Sequence, residues 1–214
     1  MYMREYMNTS VITVAPDTLL AEAERLMREN KIRRLPVVED DELVGLVTRR
    51  KLREATVSPA TTLSVWELNY LVARMKVKDV MTTELFTVTP DTTLEEAVTR
   101  AQELLVGTLL VVDEQDPKKL VGIATTTDIY KITAQILGFG QRGARLHIME
   151  PSRAGGCEGA ASTIIARGVG IRSMMKVTPP RLGKEDCIIH VDQEDVTGLV
   201  GELRNNGYEV EVRS

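Results

Sequence analysis

The sequence predicts a mixed α+β protein: two copies of one small unit, followed by a different C-terminal domain. Three observations lead there. A thirteen-residue pattern occurs twice in the first two thirds of the chain. Each occurrence opens the same β-α-β-β-α order of elements. The last third reads β-α-β-β-α-β instead, the split βαβ arrangement.

The repeat is explicit. Residues 11–23 read VITVAPDTLLAEA and residues 85–97 read LFTVTPDTTLEEA, an offset of 74 with eight of thirteen positions identical. The same offset aligns KIRRLPVVE (31–39) with LVGTLLVVD (105–113). After a three-residue insertion, LVGLVTRRKL (43–52) aligns with LVGIATTTDI (120–129). Three matches in order mark a duplicated structural unit, with the copies at about 6–55 and 77–132.

Each unit has legible local structure. Val11-Ile12-Thr13-Val14 reads as a short β segment running into a Pro-Asp turn. Asp17 or Thr18, and Asp91 or Thr92 in the second copy, are the expected helix caps. Leu20, Ala23 and Met27, then Leu94, Ala97 and Ala101, recur at helical spacing. Two short apolar strands follow, Leu35–Val38 and Leu43–Val47, joined by Glu39-Asp40-Asp41-Glu42. A second helix is expected over Arg50–Ala55 and over Asp128–Leu137. One copy alone leaves a sheet face uncovered, so the two are expected to pack together.

Residues 58–76 connect the copies. Ser64 with Glu67 three residues on forms a capping box, and Trp66, Leu68, Leu71, Val72 and Met75 give an apolar side, so a packed linker helix is expected. Gly138-Phe139-Gly140-Gln141-Arg142-Gly143 reads as a hinge. Beyond it, strands are expected at 144–150, 169–177, 186–191 and 208–212, with helices at 155–168 and 195–205. The expected domains are therefore 1–57, the linker 58–76, 77–137, the hinge 138–143, and 144–214.

Composition narrows the function. The chain has 214 residues, 43% hydrophobic and 27% charged, with a formal net charge of -4. That is ordinary globular composition. A broad nucleic-acid footprint is not expected at this charge, and aromatics at 4% are too few for base-stacking platforms. No apolar run approaches the roughly 20 residues needed to cross a bilayer. No secretory signal is read at Met1-Tyr2-Met3-Arg4-Glu5, so a cytoplasmic location is expected. Cys157 and Cys187 are expected to stay reduced, with Cys187 a small hydrophobe in its strand. His147 and His190 fall in expected strands as packed or half-exposed residues. The sequence contains no HExxH, GxSxG, P-loop or CxxC, so no enzyme is expected.

The pattern TVxPDxxLxEA … LPVV … LVGLVT resembles the CBS domain over about residues 6–135, and two in tandem resemble that family's paired (Bateman) module. The C-terminal pattern RGVGIRSMM … CIIHVD … LRNNGYEV resembles an ACT domain, a ferredoxin-like fold. The amino-acid-binding first loop of that family, Asp-x-Pro-Gly, reads Ser152-Arg153-Ala154-Gly155 here and keeps only the glycine. Together the parts resemble the acetoin-utilisation protein B type of bacterial protein.

The CBS resemblance implies an adenosyl ligand in the cleft between copies. The family's ribose marker, Gly-h-h-Ser/Thr-x-x-Asp, is intact in copy two as Gly122 through Asp128, with Thr125 and Thr127 inside it. A carboxylate accepts from both ribose hydroxyls at once, a charge-assisted arrangement. Asp128 is equally placed to cap its own helix, and both readings stand. Copy one has Lys51 where the carboxylate belongs, and an ammonium has no acceptor. The resemblance assigns phosphates to the basic residues before the Leu-Pro-Val-Val strand of the opposite copy, here Arg33 and Arg34, with Arg34 preferred because adjacent strand residues face opposite ways. Copy two offers only Gly107 and Thr108 there. Alignment gives Thr82, Thr83, Leu85, Val106 and Leu109 as adenine walls, with Thr87 facing the same cleft; Leu109 equally suits plain core packing. Arg49-Arg50-Lys51 is a basic cluster at a helix start, read as an exposed face, an anion site or a contact with a second module.

The resulting expectation is a non-catalytic sensor that binds one AMP, ADP, ATP or S-adenosylmethionine without an obligatory cofactor or metal. It would be a homodimer signalling through the ACT-like domain. The competing expectations are a scaffold for a partner enzyme without nucleotide, and an amino-acid sensor acting through the ACT-like domain.

Overall fold

The computed structural model describes residues 1–56, 73–150, 154–178 and 183–213. The expected linker helix, with Ser64, Trp66 and Glu67, lies outside the described residues, as do Ser152 and Arg153. The chain forms two compact units, Met1–Ile129 and Tyr130–Ser214.

In the first unit, copy one comprises α1 (Leu20–Glu29), β1 (Arg34–Glu39), β2 (Glu42–Thr48) and α2 (Arg49–Thr56). Copy two comprises β3 (Thr87–Val88), α3 (Leu94–Glu103), β4 (Thr108–Val112), β5 (Leu120–Thr125) and the start of α4 (Thr126–Ile136). β1 and β2 pair antiparallel from Arg34–Thr48 to Glu39–Glu42. Asp40 and Asp41 close this hairpin with φ of 50° and 66°, the two left-handed residues that a tight hairpin turn demands. The expected strand at Val11–Val14 shrinks to one parallel bridge, Val14 to Val37, whereas Thr87–Val88 of copy two is a strand.

Both expected pairs of helix caps are corrected. The N-cap of α1 is Leu19, with no side-chain cap. Asp17 instead takes Lys76 at 3.0 Å and Lys78 at 2.8 Å, and these ammonium groups hold its carboxyl down at about 2. In copy two Thr93 is the cap, its hydroxyl accepting from the Glu96 amide at 3.2 Å. Asp91 pairs with Arg4, and the Thr92 hydroxyl accepts from the Thr89 amide.

Those ion pairs show how the copies interlock. Residues 1–8 pack on copy two: Met3 N–H donates to Thr92 O, and Asn8 bridges Ile123. Residues 76–82 pack on copy one in the corresponding way: Val77 N–H donates to Thr18 O, and Thr82 bridges Leu46. Each copy therefore lends its leading segment to the other. Two glycines make room for this. A Cβ on Gly45 would stand 2.5 Å from Met81 Sδ, and one on Gly122 would stand 2.5 Å from Met7 Sδ.

The second unit contains β6 (Ala144–Met149), α5 (Gly156–Ala166), β7 (Ile171–Val177), β8 (Asp186–Val191), α6 (Thr197–Asn205) and β9 (Glu209–Arg213). Its sheet runs β7-β8-β6-β9, with every pairing antiparallel. Alternation sends Leu146 and Ile148 of β6 and Ile189 of β8 into one core with Ile164 of α5 and Leu203 of α6, all fully buried. The expectation that the cysteines stay unpaired is corrected. Cys157 of α5 and Cys187 of β8 form a disulfide, both fully buried. The reason is that the helix-facing side of β8 meets the sheet-facing side of α5, bringing the Cα atoms to 5.7 Å.

The opposite face of β6 carries Arg145, His147 and Met149. His147 Nε2 lies 3.0 Å from Asp186 Oδ2. The Gly-rich segment lies against this face. Arg145 and Ser173 both donate to Leu137 O, and Arg145 sits over the Phe139 ring. Gly138, at φ 71°, approaches His190 so closely that a Cβ would stand 2.3 Å from Nδ1.

Candidate functional site

The two copies of the first unit leave a cleft of about 430 Å³ between them. Copy one contributes Arg33 and Arg34 at the start of β1, Leu46 and Thr48 from β2, and Arg49 and Arg50 from the first turn of α2. Copy two contributes Val106, Gly107 and Thr108 before and at the start of β4. The segment that crosses between copies adds Thr82, Glu84 and Leu85.

Local structure explains why these side chains meet. Arg33 O accepts from Arg49 N–H at 2.9 Å, which joins the residue before β1 to the first residue of α2. Gly107 O accepts from Thr126 N–H at 3.3 Å, the same joint in copy two. The joints correspond position by position, but their side chains do not. Copy one presents Arg33, Arg34, Arg49, Arg50 and Lys51; copy two presents Gly107, Thr108, Thr126, Thr127 and Asp128.

Arg34 reaches across. A Cβ on Gly107 would stand 2.7 Å from Arg34 Nη2 and 3.2 Å from Thr126 Oγ1. Burial pushes the Arg34 guanidinium below its ordinary range and the neighbouring Arg33 adds to this, while the Asp128 charge acts the other way. Arg34 and Asp128 therefore feel each other although they belong to different copies. Asp128 Oδ2 accepts from Thr125 N–H at 2.9 Å and from Thr125 Oγ1 at 2.7 Å, so the carboxylate does cap α4.

Of the residues expected from sequence, Arg33, Arg34, Thr82, Leu85 and Val106 line the cleft. Thr83, Thr125, Thr127 and Asp128 lie outside this lining, Asp128 because its carboxylate turns back toward Thr125. Leu109 is buried in the core, and Thr87 lies in β3 paired with Leu110. Strand alternation does not choose between Arg33 and Arg34, because β1 begins at Arg34 and both line the cleft. Sequence reasoning missed Gly107 as a site residue. The signal was the exchange of Arg33 for Gly107 between copies. Arg49 and Arg50 also line the cleft, while Lys51 does not.

Among the described residues no group of three or more His, Cys, Asp or Glu is placed to hold a metal ion. No described helix is long and apolar enough to cross a membrane.

Two interlocked β-α-β-β-α copies around a shared cleft define a paired module, and comparison with known proteins identifies it. The pattern that defines the CBS domain matches residues 3–58 and 77–134, more than half of the chain, and the chain belongs to the CBS-domain family. It is 36% identical over 120 residues to the inosine-5'-monophosphate dehydrogenase of Korarchaeum cryptofilum, a match covering 56% of this chain and 22% of that protein's length. Among solved structures it is similar to a putative acetoin utilization protein (AcuB) from Vibrio cholerae. That match has 28% identity and a TM-score of 0.53, covering 64% of this chain and 93% of that one. It is likewise similar to CBSX2 in complex with AMP, at 29% identity and a TM-score of 0.52, covering 64% of this chain and 98% of that one.

Proposed function

We propose that the chain is a non-catalytic regulatory protein whose CBS pair binds one adenine nucleotide in the cleft between copies. The observation that carries this reading is the meeting of Arg34 with Gly107 and the Asp128 charge across the copies. A guanidinium and a carboxylate facing each other across the copies in this way can be bridged by a ligand with an anionic end and a diol end. Phosphate takes Arg34, the ribose hydroxyls take Asp128 and Thr125, and the base lies toward Thr82, Thr83, Leu85 and Val106. Thr127 borders the ribose on the exposed first turn of α4. The AMP complex of the similar CBSX2 structure supports this ligand class.

On this reading Tyr130–Ser214 is an ACT-like domain, supported by its β7-β8-β6-β9 antiparallel sheet with two helices packed on one face. It carries the readout to a partner enzyme, and the protein works as a homodimer without an obligatory cofactor. The similarity to AcuB suggests a role of the acetoin-utilisation kind. A cytoplasmic setting suits a nucleotide sensor; the Cys157–Cys187 pairing weighs the other way. A second reading is a scaffold without nucleotide, favoured by the two hydrogen bonds that already engage Asp128 with Thr125.

A thermal-shift series with the full chain separates the two. At 100 times its dissociation constant a ligand that binds only the folded state adds about 2.7 kcal/mol. The sensor reading expects a rise in Tm with an adenine nucleotide that disappears in Asp128→Ala. That variant loses about 1 kcal/mol of its own through the cap. No shift with any adenine nucleotide or with S-adenosylmethionine selects the scaffold.

A further inference from the structure

We infer that the ligand of this cleft is a nucleoside di- or triphosphate whose terminal phosphates reach across to Arg33 and Arg49, making these arginines the determinants of phosphate number. The inference rests on the nucleotide reading above and adds the length of the ligand's anionic end.

The cleft is divided by charge. Arg33, Arg34, Arg49 and Arg50 line its copy-one side, and the corresponding positions in copy two hold Gly107, Thr108, Thr126 and Thr127. Glu84 is the one carboxylate among the described lining residues. Arg50 lies 3.7 Å from Glu54 and is largely exposed, so it stands at the rim. Arg49 is half-buried, and its amide is bound to Arg33 O, which fixes the two arginines side by side. The first turn of α2 holds no acidic residue, so Arg49, Arg50 and Lys51 stand at the positive end of their own helix, where Glu54, one turn on, faces Arg50 alone.

Such an arrangement favours an anion beside it. One phosphate satisfies Arg34. A second or third, extending away from the diol end at Asp128, is what the Arg33–Arg49 pair can take, because a guanidinium fork matches phosphate oxygens two at a time. The same charge works against a cationic sulfonium ligand. It also leaves copy one without a ribose acceptor, so the arginines serve a ligand seated in copy two.

The test is calorimetric titration of the full chain with adenosine, AMP, ADP, ATP, S-adenosylmethionine and inorganic tripolyphosphate. It compares wild type with Arg49→Gln and with Arg33→Gln, whose side chain is exposed. The expected result is at least a tenfold gain in affinity from AMP to ADP, about 1.4 kcal/mol, and a further gain to ATP. The ATP-to-AMP ratio falls at least tenfold in each variant. AMP binding as tightly as ATP in wild type, or an unchanged ratio in both variants, overturns the inference while leaving the nucleotide reading intact. Tripolyphosphate binding that is lost in Arg49→Gln, with no preference for adenosine compounds, supports the basic lane and overturns the adenosine reading. Binding of no compound overturns both.

Discussion

Gly107 has no side chain at the one point where Arg34 needs the space: a Cβ there would lie 2.7 Å from Arg34 Nη2. The two residues belong to different copies, and Gly107 occupies the position that Arg33 holds in copy one. The exchange does two things at once. It removes a cation from the copy-two side of the cleft, and it opens the path by which Arg34 reaches the neighbourhood of Asp128.

Gly107→Ala follows directly. The atom in the way is the far end of a flexible side chain, so the fold should adjust at a cost under about 1 kcal/mol. Arg34 should then leave its place, and nucleotide affinity should fall about tenfold or more, the worth of one charged hydrogen bond. Calorimetry and thermal unfolding on the same variant measure the two effects separately. A large loss of stability with unchanged affinity would mean that Gly107 serves the fold alone.

Gly122→Ala tests the interlocking. Met7 Sδ would stand 2.5 Å from the new Cβ, and Met7 Cγ would stand 3.0 Å from it. Residues 1–8 must then lift from β5, so about 1–3 kcal/mol of stability should be lost. Gly45→Ala should do the same through Met81, at 2.5 Å. Urea unfolding of both variants would show matched losses if the two halves are equivalent in packing.

The disulfide makes the second unit sensitive to reductant. Cys157 and Cys187 are 30 residues apart and fully buried. Opening the loop they close should cost about 2–4 kcal/mol. Urea unfolding with and without reductant should differ by this amount in wild type and not at all in Cys157→Ser.

His190 gives the same unit a pH dependence. Burial lowers its pKa from the ordinary 6.5, and the charges of Arg145 and Arg172 lower it further. Nδ1 is buried without a hydrogen-bond partner. The folded state therefore keeps the ring neutral. Below about 6.5 the unfolded chain binds a proton that the native state refuses, so unfolding free energy falls as pH falls. The contribution is complete above 6.5 and is lost down to the lower native pKa. Urea unfolding at pH 7.5 and pH 5.5 should show the decline, and His190→Leu should reduce it.

The repeat made most of this architecture legible. Positions such as Leu20, Ala23 and Met27 needed only helical spacing to be placed, and all three are buried. The hairpin at Asp40-Asp41 followed from its turn residues. The caps were misread because Asp17 and Asp91 found cations, Lys76 and Lys78 in one case and Arg4 in the other, on segments distant in sequence. Local propensity carries no information about such partners. The exchange of leading segments was invisible for the same reason: Met7 and Met81 look like ordinary apolar residues until their glycine partners are known. At the site, alignment of the copies found the arginines and Asp128 but gave no meaning to Gly107, since an absent side chain shows its purpose only beside the group that fills its space. The cysteines were read by compartment and count, and only the packing of α5 on β8 brings them together.

The central claim is one nucleotide per chain, held by the copy that keeps Asp128 and not by the copy that has Lys51. Stoichiometry by isothermal titration of the full chain with ATP tests it most directly. The account predicts one site per chain, abolished in Asp128→Ala and retained in Lys51→Ala. Two equivalent sites per chain, or binding untouched by Asp128→Ala, would contradict it.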